Sequence, residues 1–182
     1  MNQNIQDIEF KNAQGKTVTL KSYPAKAYLI VNVASKCGLT PQYEALQKIY
    51  QKYQSRGLEI IGFPANEFLS QEPGTNEEIQ NFCSMNYNVT FPIQSKIVVK
   101  GVGQHPLYKN LTELKKEAVK NADAKFENLL KKEGLLSGAS HDIQWNFEKF
   151  LLNSRGEIIE RFYPDITPDD SRVISQIEKL LI

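Results

Sequence analysis

The sequence predicts an α/β fold built on a buried strand–helix–strand unit. Three observations carry this reading. Ala27-Tyr28-Leu29-Ile30-Val31-Asn32-Val33 and Leu58-Glu59-Ile60-Ile61-Gly62-Phe63 are short and almost continuously apolar, as strands covered on both faces are. Between them Tyr43, Leu46, Ile49, Tyr50 and Tyr53 recur at spacings of three and four, which makes one apolar stripe on a helix. Strand, helix and strand in that order form a right-handed crossover between parallel neighbours.

The chain has 182 residues, 41% of them hydrophobic, and a formal net charge of +1. One domain over residues 1–182 is expected at this length. No basic stretch is interleaved with aromatics, so nucleic acid is not an expected partner. Met1–Asp7 is polar and lacks the apolar core of a signal peptide. No apolar run approaches the roughly 18 residues of a membrane span. The expected location is therefore cytoplasmic. Two cysteines, Cys37 and Cys83, are too few for a disulfide-stapled secreted domain. They read either as inert core thiols or as a transient redox couple.

Taken in order, Ile8-Glu9-Phe10 and Thr17-Val18-Thr19-Leu20 flank a glycine turn and form a hairpin. Pro24 breaks the chain before the first buried strand. Ala34–Thr40 is a turn, and Thr40-Pro41 opens the following helix, with a side-chain oxygen at the N-cap and proline at the first helical position. The helix runs from Gln42 to Arg56 and stops at Gly57. After the second strand, Ala65–Gly74 is a polar loop. Thr75 and Glu78 form a capping box for a helix over Asn76–Tyr87, with Ile79, Phe82 and Cys83 on one face. Ser95–Val99 reads as a strand. From Pro106 the pattern is loosely helical as far as Glu133, with Ser137–Ser140 closing it. Gln144–Leu152 and Glu157–Tyr163 are strands about the turn Asn153–Gly156. Thr167-Pro168 opens a last helix. This order matches a thioredoxin fold with an added N-terminal β-hairpin and an inserted helical segment, residues 112–140, before the last β-hairpin.

Cys37 lies where unpaired N–H groups and the positive end of a helix converge, next to Lys36. Such a turn favours a thiolate. The two histidines, His105 and His141, have no spacing relation to it.

Three motifs stand in order along the chain: Asn32-Val33-Ala34-Ser35-Lys36-Cys37-Gly38-Leu39-Thr40, Gly62-Phe63-Pro64-Ala65-Asn66-Glu67-Phe68-Leu69-Ser70-Gln71-Glu72-Pro73-Gly74, and Trp145-Asn146-Phe147. Together they resemble those of glutathione peroxidases. The resemblance implies a peroxidase with a catalytic tetrad of Cys37, Gln71, Trp145 and Asn146, in which an indole and two amides act as neutral donors. Where the second motif usually reads Cys-Asn-Gln, this chain has Ala65-Asn66-Glu67. The Glu67 carboxylate is expected to point to solvent. The segment around Cys83 resembles the one that carries the resolving cysteine of the thioredoxin-dependent branch. The implied cycle oxidises Cys37 to a sulfenic acid, condenses it with Cys83, and returns the disulfide to thiols by exchange with thioredoxin. Cys83 must then leave its inward-facing position. No metal or organic cofactor is implied. Glutathione is the alternative reductant, with Lys36 and Arg161 as candidate contacts for its carboxylates. A peroxide sensor docking through the Lys-rich 112–133 segment is a second alternative. A monomer is expected.

Overall fold

The computed structural model describes residues 3–136 and 138–182. Met1 and Asn2 of the polar N-terminus, and Ser137 of the expected closing turn, lie outside the described residues. The hairpin is present but short. β1 (Phe10–Lys11) and β2 (Thr17–Val18) pair antiparallel, with Phe10 opposite Val18. β3 (Ala27–Val33) is buried along its whole length. α1 (Gln42–Tyr53) follows and buries the tyrosine stripe. A 3-10 turn over Gln54–Arg56 then leads to Gly57 at φ 114°. β4 (Leu58–Pro64) lies parallel to β3, with Ala27 opposite Leu58 and Val33 opposite Pro64. The predicted parallel crossover is therefore present, with β3 inside the sheet and β4 at its edge.

α2 (Asn76–Tyr87) carries the predicted capping box: Thr75 Oγ1 accepts from Glu78 N–H and the Glu78 carboxylate accepts from Thr75 N–H. Ser95–Val99 is not a strand. The chain touches β4 at a single bridge, Gly62 with Ile93, and then spends its amides elsewhere. Ser95 N–H goes to the Lys11 carbonyl, Lys96 N–H to the Asn76 side chain and Ile97 N–H to the Pro64 carbonyl. Gly62 permits this approach, because a Cβ there would sit 2.6 Å from Ile93 Cδ1.

α3 (Pro106–Leu114) and α4 (Lys125–Lys132) lie in the stretch expected to be helical from Pro106 to Glu133, but the residues between them are not helical, and α4 is the main helix of the 112–140 segment. Val119 instead forms a parallel bridge with Phe162. β5 (Lys149–Asn153) and β6 (Ile158–Phe162) complete a sheet in the order β4-β3-β5-β6, with β5 antiparallel to both its neighbours. Gln144–Glu148, read from its aromatics as the start of β5, is a turn. α5 (Ser171–Leu180) is capped by Asp170 and not by Thr167. Thr167-Pro168 form the turn before it, closed by Asp170 N–H to the Thr167 carbonyl.

Candidate active site

The end of β3 delivers Cys37 to a turn that Thr40 holds shut. Thr40 does not cap α1 as expected. Its hydroxyl accepts from Cys37 N–H at 3.0 Å and donates to the Ala34 carbonyl at 2.7 Å. The Thr40 amide closes back on the Cys37 carbonyl. Leu39 N–H points at the Cys37 sulfur, 3.3 Å away. Cys37 is buried but not sealed, with 8% of its surface exposed. A main-chain donor aimed at Sγ stabilises negative charge there.

Gln71 reaches this turn through a sharply folded loop. Leu69 and Ser70 both have φ of 53°, a left-handed backbone that costs about 1–2 kcal/mol per non-glycine residue. The fold sets the Gln71 carbonyl to accept Lys36 N–H at 3.0 Å. Its side-chain oxygen accepts from Asn146 Nδ2, also at 3.0 Å. Asn146 is completely buried, and Trp145 beside it is 7% exposed with its ring against Phe68, centroids 5.5 Å apart.

The Trp145–Phe147 turn is fastened to β3 by Asn32. The Asn32 side-chain amide donates to the Trp145 carbonyl at 3.0 Å, and its main-chain carbonyl accepts from Phe147 N–H at 2.6 Å. Phe147 sits at φ 65°. Lys149 anchors the turn from behind, its Nζ donating to the carbonyls of Phe147 and Pro164. Lys149 is fully buried, and burial pushes its ammonium down to about 7 against the pull of Glu148 and Asp165.

Gln71 and Asn146 are thus in direct contact, Trp145 adjoins them, and all three are fastened to the Cys37 turn through Lys36 and Asn32. Among the described residues no hydrogen bond joins these side chains to the sulfur itself. Cys83 is not brought to Cys37; both are free thiols. Cys83 lies inward on α2, 2% exposed, facing Tyr43 of α1 and Glu72. Burial, reinforced by the Glu72 carboxylate, pushes its thiol up to about 11. A cavity of about 360 Å³ opens between Ser35 and Lys36 on one side and Glu78, Ile79 and Phe82 of α2 on the other.

Two sequence expectations are corrected. Glu67 does not point to solvent; it is half-buried and accepts from Val99 N–H at 3.2 Å. Arg161 cannot hold a glutathione carboxylate, because it is 1% exposed and paired with the buried Glu148 at 2.5 Å. The sequence alone does not disclose the fastening roles of Asn32, of Thr40, which it reads as a helix cap, or of Lys149. An asparagine inside an otherwise apolar strand run, and a Glu148-Lys149 pair set between Phe147 and the apolar Phe150-Leu151-Leu152, are the available signals.

The family model for glutathione peroxidase matches residues 5–112. The chain belongs to the glutathione peroxidase family. It is 44% identical over 181 residues to the thioredoxin/glutathione peroxidase BtuE of Escherichia coli, covering 100% of this chain and 99% of that protein. It is 41% identical to the glutathione peroxidase-like peroxiredoxin 2 of Saccharomyces cerevisiae, again covering 100% and 99%. Among solved structures, Trgpx in its apo form superposes with a TM-score of 0.70 at 29% identity, covering 100% of this chain and 97% of that one. T. cruzi GPX1 follows at 0.67 and 28%, covering 98% and 97%. These neighbours agree with the predicted thioredoxin fold. The enzyme is a peroxidase, so its oxidising substrate is a peroxide and its electrons come from a thiol. Among the described residues, no helix is long and apolar enough to cross a membrane.

Proposed function

We propose that this peroxidase works as a two-cysteine enzyme recycled by thioredoxin. The Cys37 thiolate attacks one peroxide oxygen, and the other leaves as water or an alcohol. Gln71, Trp145 and Asn146 serve as the neutral donors that steady the sulfur and the leaving oxygen. Cys83 then condenses with the Cys37 sulfenic acid, releasing water, and thioredoxin reduces the disulfide by exchange. A cytoplasmic setting, where thiols are kept reduced, accords with this cycle.

The observation that carries the reading is the position of Cys83. The chain's other thiol lies on the helix that forms the far wall of a cavity whose near wall is the Cys37 turn. A disulfide needs its Cα atoms within about 7 Å, so α2 must open locally, and the cavity leaves room for it. The reductant half of the reading is supported by the burial of Arg161, which leaves Lys36 alone among the candidate glutathione contacts at the surface.

Turnover is to be measured with thioredoxin and with glutathione for the wild type, Cys37→Ser and Cys83→Ser. Both variants are expected to lose thioredoxin-supported turnover. Glutathione-supported turnover that survives Cys83→Ser at the wild-type rate would reverse the assignment of the reductant.

A further inference from the structure

Glu72 follows Gln71 directly, yet it faces the other cysteine. It is 1% exposed, its amide is held by the Asn66 side chain at 2.9 Å, and its Oε2 has no hydrogen-bond partner. It lines the cavity between the Cys37 turn and α2. A buried carboxylate oxygen without a hydrogen-bond partner is costly; Ser35, Lys96 and Lys36 ease the charge but do not outweigh burial, so the group calls for a reason. The groups around it come from four directions. Ser35 and Lys36 face it from the Cys37 turn, Tyr43 from α1, Cys83 and Glu78 from α2, and Lys96 from the segment after α2.

We propose that the Glu72 carboxylate is the base that takes the Cys83 proton when Cys83 condenses with oxidised Cys37, a step that rests on Cys83 being the resolving thiol. The other groups are unsuited to this. Glu78 spends its carboxylate on Thr75 N–H at 2.7 Å, and Lys96 donates to the Gly74 carbonyl at 2.6 Å. Tyr43 is completely buried, and burial raises its phenol well above its ordinary value, so it stays protonated. Burial also raises Glu72 above the ordinary carboxylate range, which makes it a stronger base.

The step balances without a further reagent. A Glu72 oxygen accepts the thiol proton, and the Cys83 electron pair attacks the Cys37 sulfur. The S–S bond forms as the S–O bond of the sulfenic acid breaks. The leaving hydroxide takes the proton back from Glu72 and departs as water. The Cys83 sulfur is oxidised, the Cys37 sulfur is reduced, and Glu72 ends as a carboxylate. The oxidising equivalent is the peroxide already consumed at Cys37.

The test is a single turnover of reduced enzyme with one equivalent of hydrogen peroxide from pH 6 to 9. Sulfenic acid is trapped with dimedone and disulfide is counted by mass after alkylation. In the wild type, condensation is expected to vary little with pH. In Glu72→Gln it is expected to be at least about 10-fold slower at pH 7, and to climb close to tenfold per pH unit as hydroxide replaces the missing base. Glu72→Asp keeps the charge and is expected to keep the flat profile at a reduced rate. A steep profile in Glu72→Asp, or a wild-type rate and profile in Glu72→Gln while Cys83→Ser still accumulates sulfenic acid, would refute the role of Glu72 alone. Normal thioredoxin-driven turnover of Cys83→Ser would refute both the resolving role of Cys83 and this proposal.

Discussion

Asn146 donates its side-chain amide to Gln71 from a position with no exposed surface. Removing a preorganised donor of this kind costs about 10²–10³-fold in other enzymes; here the remaining amide and indole soften the loss. Asn146→Ala is expected to slow the peroxide-dependent oxidation of Cys37 by about 10- to 100-fold, read by stopped flow on reduced enzyme. Lys149 makes a different prediction. Its folded value, about 7, lies below the ordinary 10.5, so between those values the unfolded chain holds a proton that the native protein lacks. Stability therefore rises with pH in that window, by up to about 1.4 kcal/mol per unit from this residue. Cys83, raised to about 11 from 9.0, works in the opposite sense only above its ordinary value, so it is silent from pH 7 to 9. Lys100, also lowered by burial, works in the same sense as Lys149 but is present in wild type and Lys149→Met alike, so the difference between them reports Lys149. Denaturant unfolding of Lys149→Met across that range is expected to show a shallower upward slope than the wild type. An unchanged slope would place the lysine's titration outside the window.

At the scale of elements, α2 is both a structural helix and the carrier of the second thiol. Its first turn rests on the reciprocal Thr75–Glu78 cap. Thr75→Ala is expected to cost about 1 kcal/mol of local stability. If opening of α2 limits condensation, that loss accelerates disulfide formation by about 5-fold while lowering hydrogen-exchange protection over Asn76–Tyr87. Slower condensation with lowered protection would show that the intact helix, and not its opening, presents Cys83. The elements also show what a sequence discloses. β3, β4 and α1 were legible because burial on both faces, or on one helical stripe, writes itself into local apolar spacing. The Gln144–Glu148 turn was not, because its Trp145 and Phe147 look like strand residues. Their conformation is decided by Asn32, more than a hundred positions away, which bonds both. The start of α5 failed for a local reason: Asp170 competes with Thr167 and wins, since it also binds the Arg172 guanidinium at 2.7 and 2.8 Å. The candidate site was legible as three motifs, but the fastening by Asn32, Thr40 and Lys149 depends on contacts that no spacing encodes.

Over the whole molecule, Arg161 decides how the inserted segment joins the sheet. From β6 it pairs with Glu148 and donates to the carbonyls of Lys115, Lys116, His141 and Asp142. Two carbonyls near the start of the 112–140 segment, two just past its end, and the Glu148 carboxylate therefore meet on one buried cation. Arg161→Ala strands Glu148 as an unpaired buried charge and frees four carbonyls; a loss of about 3–5 kcal/mol is expected in denaturant unfolding. A loss below 1 kcal/mol would mean that the insertion is held by its apolar contacts alone.

The two single-residue bridges have an effect beyond this chain. β4 and β6 are the outer strands of the sheet, and an outer strand offers free amides and carbonyls to any extended peptide that drifts past. Ile93 lies along one of them at Gly62 and Val119 along the other at Phe162. Each rim is thus blocked at one point, near the end of its strand, by a stretch of the same chain too irregular to be copied onward. Under the proposed cycle, α2 can open to bring its thiol forward without the same motion also baring those two points of the sheet margin, where fibrillar stacking could otherwise begin.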